Sequence, residues 1–198
     1  MRIIAIGASA GGPQAIAEIL SALPARLPAA VLIVQHVNRE FSAGLAGWLA
    51  RQTALPVSIA AEGQKPEKGR VYMAGTDEHL IVKPDFTFSH VPGLKAMPYC
   101  PSIDIFFRSL ALCYTGPAGC RDCLAVLLTG MGKDGAAGLL ELRRRGCHTI
   151  AQDEKTSVIY GMPKAARDMG AAAEILPLHQ IAPAILKYVQ VKPETFHP

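Results

Sequence analysis

Short, uninterrupted apolar runs alternate along this chain with stretches whose apolar residues recur at helical spacing. Continuous apolar runs mark strands buried on both faces, and the helical stripes mark the elements that cover them. Residues 2–6 read as a first strand that runs straight into Gly7-Ala8-Ser9-Ala10-Gly11-Gly12. Pro13 suits the first turn of the next helix, on which Ile16, Ile19, Leu20 and Leu23 share one face. Residues 31–34 predict a second strand, and Phe41, Leu45, Trp48 and Leu49 stripe the helix after it.

The middle of the chain changes character. Residues 71–73, 79–83 and 86–91 are short and β-rich, and Pro84-Asp85 between the last two predicts an antiparallel hairpin. A Pro- and Gly-rich loop follows at 92–101. Ser102 then suits the N-cap of a helix with Ile103, Phe106, Phe107 and Leu110 on its apolar face. Residues 124–128 are the most apolar strand, expected at the centre, and lead into a second glycine-rich turn, Thr129-Gly130-Met131-Gly132-Lys133-Asp134-Gly135. A helix to about Arg145, strands at 149–151 and 174–176, and a helix carrying Ile181, Ala184, Ile185 and Tyr188 complete the pattern. The expected class is α/β: an open doubly wound, mostly parallel sheet with helices on both faces and an antiparallel β-hairpin insertion. One domain is expected over residues 1–190, with a loose tail at 191–198.

Composition narrows the function classes. Half of the 198 residues are hydrophobic and 18% are charged, enough for a large core and against disorder. The net charge of +4 is mildly basic and favours acidic partners, while 6% aromatics and no basic run beyond Arg143-Arg144-Arg145 argue against nucleic acid. That triplet is most simply the solvated end of a helix. The N-terminus reads neither as a signal peptide nor as a membrane span, so no direct membrane insertion is expected. Five cysteines, an odd number in a chain that needs no staples, imply free thiols and a cytoplasmic setting. Cys120 and Cys123 form a C-x-x-C, but no second ligand pair at zinc-site spacing follows, so no metal or other cofactor is called for. His79 and His90 flank the hairpin as surface or packing residues, and His148, His179 and His197 belong to no constellation.

Ligand sites in such sheets form beyond the carboxyl ends of strands. Ser9, His36 and Asp134 follow three expected strands, and these types together supply a nucleophile, a base and a group that orients the base. Gly7-Ala8-Ser9-Ala10-Gly11 matches G-x-S-x-G between strand and helix, where unpaired N–H groups can hold an oxyanion. The order Ser, His, Asp differs from that of α/β-hydrolases. Taken singly, Ser9 suits a tight turn, His36 a structural role and Asp134 a helix N-cap; their coincidence at strand ends is what favours catalysis. A dinucleotide site is poorly matched, because Ser9 stands at the middle glycine of G-x-G-x-x-G and Gln35-His36 stands where an acidic residue is needed. No Walker motif is present.

Ile4 to Pro13, Val34-Gln35-His36 and Leu128 to Ala136 resemble the catalytic domain of CheB-type chemotaxis protein-glutamate methylesterases. So do Pro101-Ser102-Ile103-Asp104 with Phe107, and Ala151-Gln152-Asp153-Glu154 through Tyr160-Gly161-Met162-Pro163. The resemblance covers residues 2–190 in order. It implies Ser9, His36 and Asp134 as catalytic, Ala10, Gly11 and Met131 as oxyanion donors or site wall, and Tyr160, Met162 and Pro163 as wall. The implied substrate is a glutamyl methyl ester on the cytoplasmic helices of a methyl-accepting chemotaxis receptor, with glutamine deamidation as a related activity in chemotaxis adaptation. Family members commonly carry an N-terminal phospho-receiver domain. With its first strand at Arg2, this chain is expected to lack one, as a free-standing member or a fragment, which leaves control by aspartyl phosphorylation open. Ala10 stands where a threonine is common, and since the backbone N–H is kept, activity is expected to survive. Two alternatives remain at this point: the same esterase acting on another methylated protein, and an inactive interaction module.

Overall fold

The structure, a computed structural model, describes residues 1–93, 99–114, 120 and 122–190. The tail expected at 191–198 and part of the loop at 92–101 lie outside the described residues. The elements run β1 (Arg2–Ala8), α1 (Gly12–Ser21), β2 (Ala29–Gln35), α2 (Arg39–Ala50), β3 (Val57–Ile59), β4 (Val71–Met73), β5 (Glu78–Val82) and β6 (Phe88–Pro92). They continue with α3 (Ile103–Cys113), β7 (Cys123–Leu127), α4 (Ala136–Arg144), β8 (His148–Gln152), α5 (Met162–Asp168), β9 (Glu174–Leu176) and α6 (Leu178–Gln190). The sequence patterns do not show β3, a half-buried strand with Ser58 between its two apolar residues, or the seven-residue α5.

Seven strands form one parallel sheet in the order β3-β4-β2-β1-β7-β8-β9. β5 and β6 pair antiparallel as a separate hairpin, with Lys83 N–H donating to Thr87 O across its turn. The chain winds outward from β1 in both directions, so the switch point lies between β1 and β7, the place where such sheets open a crevice. Apart from Arg2 at the start of β1, the two strands are apolar and buried because both faces are covered. Ile4, Ile6 and Ala8 of β1 point to the face packed by α1, α2 and α6, while Ile3 and Ala5 point to the face packed by α3, α4, α5 and the hairpin. Each fully buried isoleucine contributes about 1.5–3 kcal/mol to holding these layers together.

Two expectations are corrected. Phe41 is 61% exposed rather than part of the buried stripe of α2. Leu45, Trp48 and Leu49 pack on the core as expected, and the smaller Ser42 and Ala46 complete that face in place of Phe41. Nor are all the thiols free: Cys120 and Cys147 are paired as a disulfide, while Cys100, Cys113 and Cys123 are not. The pairing depends on Cys147 standing at the start of β8 beside β7, a spatial neighbour that a separation of 27 residues conceals.

α3 and α4 meet closely at Gly138, where an added Cβ would lie 2.7 Å from Asp104 O and 2.7 Å from the Phe107 Cβ. Gly138→Val is therefore expected to destabilise the protein by about 1–3 kcal/mol, read as a lower urea midpoint with an unchanged slope. An unaltered midpoint would show that the two helices do not pack this tightly.

Candidate active site

The carboxyl ends of β1, β2 and β7 are tied into one frame before any side chain acts. His36 N–H donates to Ala8 O at 3.0 Å, Ser9 N–H to Thr129 O at 3.0 Å, and Leu128 N–H to Gly7 O at 2.9 Å. Ala8 and Gln35 are register partners on adjacent parallel strands, so Ser9 and His36 follow at neighbouring positions, one strand spacing of about 4.8 Å apart. Buried amides lock the frame. Gln35 Nε2 donates to Ser9 O at 2.9 Å, and Thr129 N–H donates to Gln152 Oε1 at 2.8 Å. Gly130 lies directly against Ser9: a Cβ there would sit 2.7 Å from Ser9 Cβ and collide with Met162 Sδ, so the chain needs glycine at this approach.

His36 and Asp134 meet across this frame. His36 Nε2 lies 2.8 Å from Asp134 Oδ2, and the two side chains are only 12% and 5% exposed. The other ring nitrogen, Nδ1, is buried and has no partner among the described residues. Tyr99 stacks on the imidazole with centroids 4.6 Å apart and planes 6° from parallel. Ser9 itself is half-buried, beside the turn that opens α1. The N–H groups of Ala10, Gly11 and Met131 have no partner among the described residues, whereas the Gly12 N–H donates to Ser9 O at 2.8 Å. The Met131 side chain is 64% exposed at the rim.

Asp134 is not the N-cap of α4, the alternative weighed from spacing; Gly135 holds that position. The carboxylate turns instead to the first turn of α3. It accepts from Ile103 N–H at 2.7 Å, Asp104 N–H at 3.1 Å and Ser102 Oγ at 2.9 Å, besides His36. Burial by itself pushes this carboxyl up, but the bonds from His36, Ile103, Asp104 and Ser102 together outweigh it and hold it below its ordinary value of 3.8. Ser102 is also the N-cap the sequence predicted, accepting from Ile105 N–H at 3.4 Å. His79 is fully buried, and its Nδ1 accepts from Ser102 N–H at 3.0 Å. It therefore packs under the cap rather than lying on the surface.

Sequence reasoning missed Tyr99, Gln35, Gln152 and the second role of Ser102. Gln35 and Gln152 had a signal, each being an amide that ends a strand, Gln35 after an otherwise apolar run. Tyr99 had none, since only the fold of its loop carries it over His36. Tyr160 stands in a bridge with Gly130, and Met162 N–H donates to Gly130 O at 2.9 Å, which sets this segment beside Ser9. Beside Asp134 opens a cavity of about 220 Å³ lined by Tyr99, Ser102, Asp104, Ile105, Arg108 and Lys133.

The lowered proton affinity of Asp134 has a signed consequence. As pH falls, the unfolded chain takes up this proton before the folded one does. The stability linked to the carboxylate is thus complete above its ordinary value of 3.8 and is lost as pH drops toward the lower folded value. Asp104, whose burial pushes its carboxyl up, changes in the opposite sense, so the informative comparison is between the wild type and Asp134→Asn. The stability gap between them, from urea midpoints, is expected to narrow below about pH 4. A gap that is constant or widens with acid would contradict the hydrogen-bonded, ionised carboxylate.

Comparison with known proteins identifies the family. The sequence profile of the CheB methylesterase family matches residues 4–185. A protein-glutamate methylesterase/protein-glutamine glutaminase of Burkholderia orbicola is 52% identical over 184 residues, 93% of this chain and 53% of that protein. One of Cupriavidus pinatubonensis is 52% identical over 186 residues, covering 94% of this chain and 53% of its own. The chain thus spans about half the length of the curated relatives it matches. The crystal structure of the Thermotoga maritima CheB methylesterase catalytic domain superposes with a TM-score of 0.87 at 33% identity, covering 94% of this chain and 97% of that one. On the extent of these matches, the chain belongs to the CheB methylesterase family.

Proposed function

We propose that the chain is a serine hydrolase that demethylates glutamyl methyl esters on the cytoplasmic helices of a chemoreceptor, in chemotaxis adaptation. The observation that carries this is the buried His36–Asp134 pair set one strand away from Ser9. Asp134 fixes the imidazole through Nε2 and leaves Nδ1 as the base. Ser9 Oγ attacks the ester carbonyl while its proton passes to Nδ1. The oxyanion is received by the unpartnered N–H groups of Ala10 and Gly11, with Met131 beside them. The imidazolium then protonates the departing methanol. A water molecule, activated by the same nitrogen, releases the glutamate and returns Ser9. A glutamine side chain follows the same path with ammonia as leaving group, in line with the double name of the relatives. No metal or organic cofactor enters any step.

The partner is a methylated receptor rather than nucleic acid. Arg108 and Lys133 line the cavity beside Asp134 and suit the acidic side chains that surround a methylated glutamate on such a helix. Met131 and Val158, 64% and 73% exposed, offer apolar contacts. Among the described residues no helix is long and apolar enough to cross a membrane; the proposed place of action is the cytoplasm, where the receptor helices that carry the substrate lie.

Methanol release from a methylated receptor cytoplasmic fragment tests the assignment. The wild type is expected to release it, and Ser9→Ala to lose at least about 10³-fold in rate while keeping its fold. Near-normal release by Ser9→Ala would remove Ser9 from the mechanism, and no release by folded wild type would remove the substrate. Arg108→Glu is expected to raise KM several-fold with kcat nearly unchanged; a fall in kcat alone would place Arg108 in the chemistry rather than in docking.

A further inference from the structure

At the amino ends of β7 and β8, on the sheet edge opposite Ser9, the fold gathers three cysteines that the esterase chemistry does not use. Cys120 precedes β7, Cys123 is its first residue, and Cys147 directly precedes β8. Leu124 and His148 are register partners, so Cys123 and Cys147 hold equivalent positions on neighbouring strands. Cys120 N–H donates to Arg145 O at 2.7 Å, which ties its loop to the turn leading into Cys147. The three residues are 1%, 0% and 4% exposed, and their sulfurs all lie within 4.8 Å of one another.

Such a cluster has a specific chemical use. Sulfurs held about 2.3 Å from a tetrahedral zinc ion are about 3.8 Å apart, so these sulfurs can close on one ion with little backbone movement. Two of the ligands form a C-x-x-C and the third comes from the adjacent strand, which explains why the sequence alone showed no second ligand group. Ligation needs thiolates, so a bound dication would hold all three sulfurs deprotonated. The remaining cysteines are engaged elsewhere: Cys113 Sγ lies 3.3 Å from Lys83 O, and Cys100 Sγ lies 3.0 Å from Asp77 O.

We propose that the reduced protein holds one thiophilic dication, of the zinc and cadmium class, on the sulfurs of Cys120, Cys123 and Cys147, and that the Cys120–Cys147 disulfide is the metal-free oxidised form of that site. The fourth coordination position is left to water or a small thiol. Oxidation by hydrogen peroxide takes two electrons from the thiolates of Cys120 and Cys147 and joins their sulfurs; the ion leaves, Cys123 takes up a proton, and the peroxide with two protons becomes two waters. A dithiol reverses it. The ion would clasp the loop before β7 to the start of β8, far from the reacting atoms, so its effect is on stability rather than on the chemistry at Ser9.

Cadmium titration of the fully reduced chain tests this. The ultraviolet thiolate-to-cadmium absorption is expected to saturate at one equivalent and to be displaced by zinc. It should vanish after peroxide treatment and return on reduction. Cys123→Ser and Cys147→Ser should abolish it, and Cys100→Ser should leave it intact. Zinc should also raise the Tm of reduced wild type by several degrees, a readout that needs no variant to fold. Absence of the absorption and of the Tm rise in reduced wild type, or an absorption that survives in folded Cys123→Ser, would overturn the proposal.

Discussion

A carboxylate placed out of water at the end of a sheet must find a hydrogen-bond donor for nearly every lone pair, and Asp134 organises its surroundings by that demand. His36 supplies one donor, Ser102 another, and the first turn of α3 supplies two backbone N–H groups that a helix leaves open at its start. Because those donors come from β2 and from α3, one side chain on the β7 loop fixes the relative positions of otherwise separate layers. The net result is an anion kept ionised despite burial, pressed against the imidazole it orients. Losing any donor would leave a buried charge under-satisfied, at a cost of about 1–3 kcal/mol or more.

The serine side of the site obeys a different constraint, close approach. Ser9, Gly130 and Met162 crowd one another, and Thr129 stitches the two glycine-rich turns together: its Oγ1 donates to Ala10 O at 2.9 Å and accepts from Ile159 N–H at 2.9 Å. Ser9 thus sits on backbone that is bonded on both sides, while His36 is held by the side-chain bond to Asp134. Tyr99 covers the imidazole from the loop before α3, so the element that satisfies Asp134 also shields His36. Rigid support and partial dryness come from the same few contacts.

Much of this was legible in the sequence, for physical reasons that differ from element to element. The strands read clearly because burial on both faces makes them uniformly apolar, and β1, β2 and β7 are buried from end to end apart from Arg2. Since parallel strands direct their carboxyl ends to one edge, the three polar residues that follow them could be collected before any coordinates. β3 and α5 were not legible, since Ser58 interrupts the one and the other runs only seven residues. Phe41 was misplaced because apolar spacing cannot distinguish a covered stripe from an exposed one when smaller residues, Ser42 and Ala46, make the contact. Asp134 was read as a possible cap for its own helix, when its donors come from a helix thirty residues earlier in the chain. The cysteine pairing failed for the same reason: it is a relation between neighbouring strands, which spacing does not encode.

The central claim is that the buried Asp134–His36 pair activates Ser9. Covalent labelling with a fluorophosphonate tests it without any assumption about the natural substrate. Peptide mass analysis of the wild type should find the label on Ser9, and Asp134→Asn should react slower by about 10³–10⁴-fold with its fold intact. Labelling at another residue, or an Asp134→Asn protein that reacts as fast as wild type, would contradict the claim.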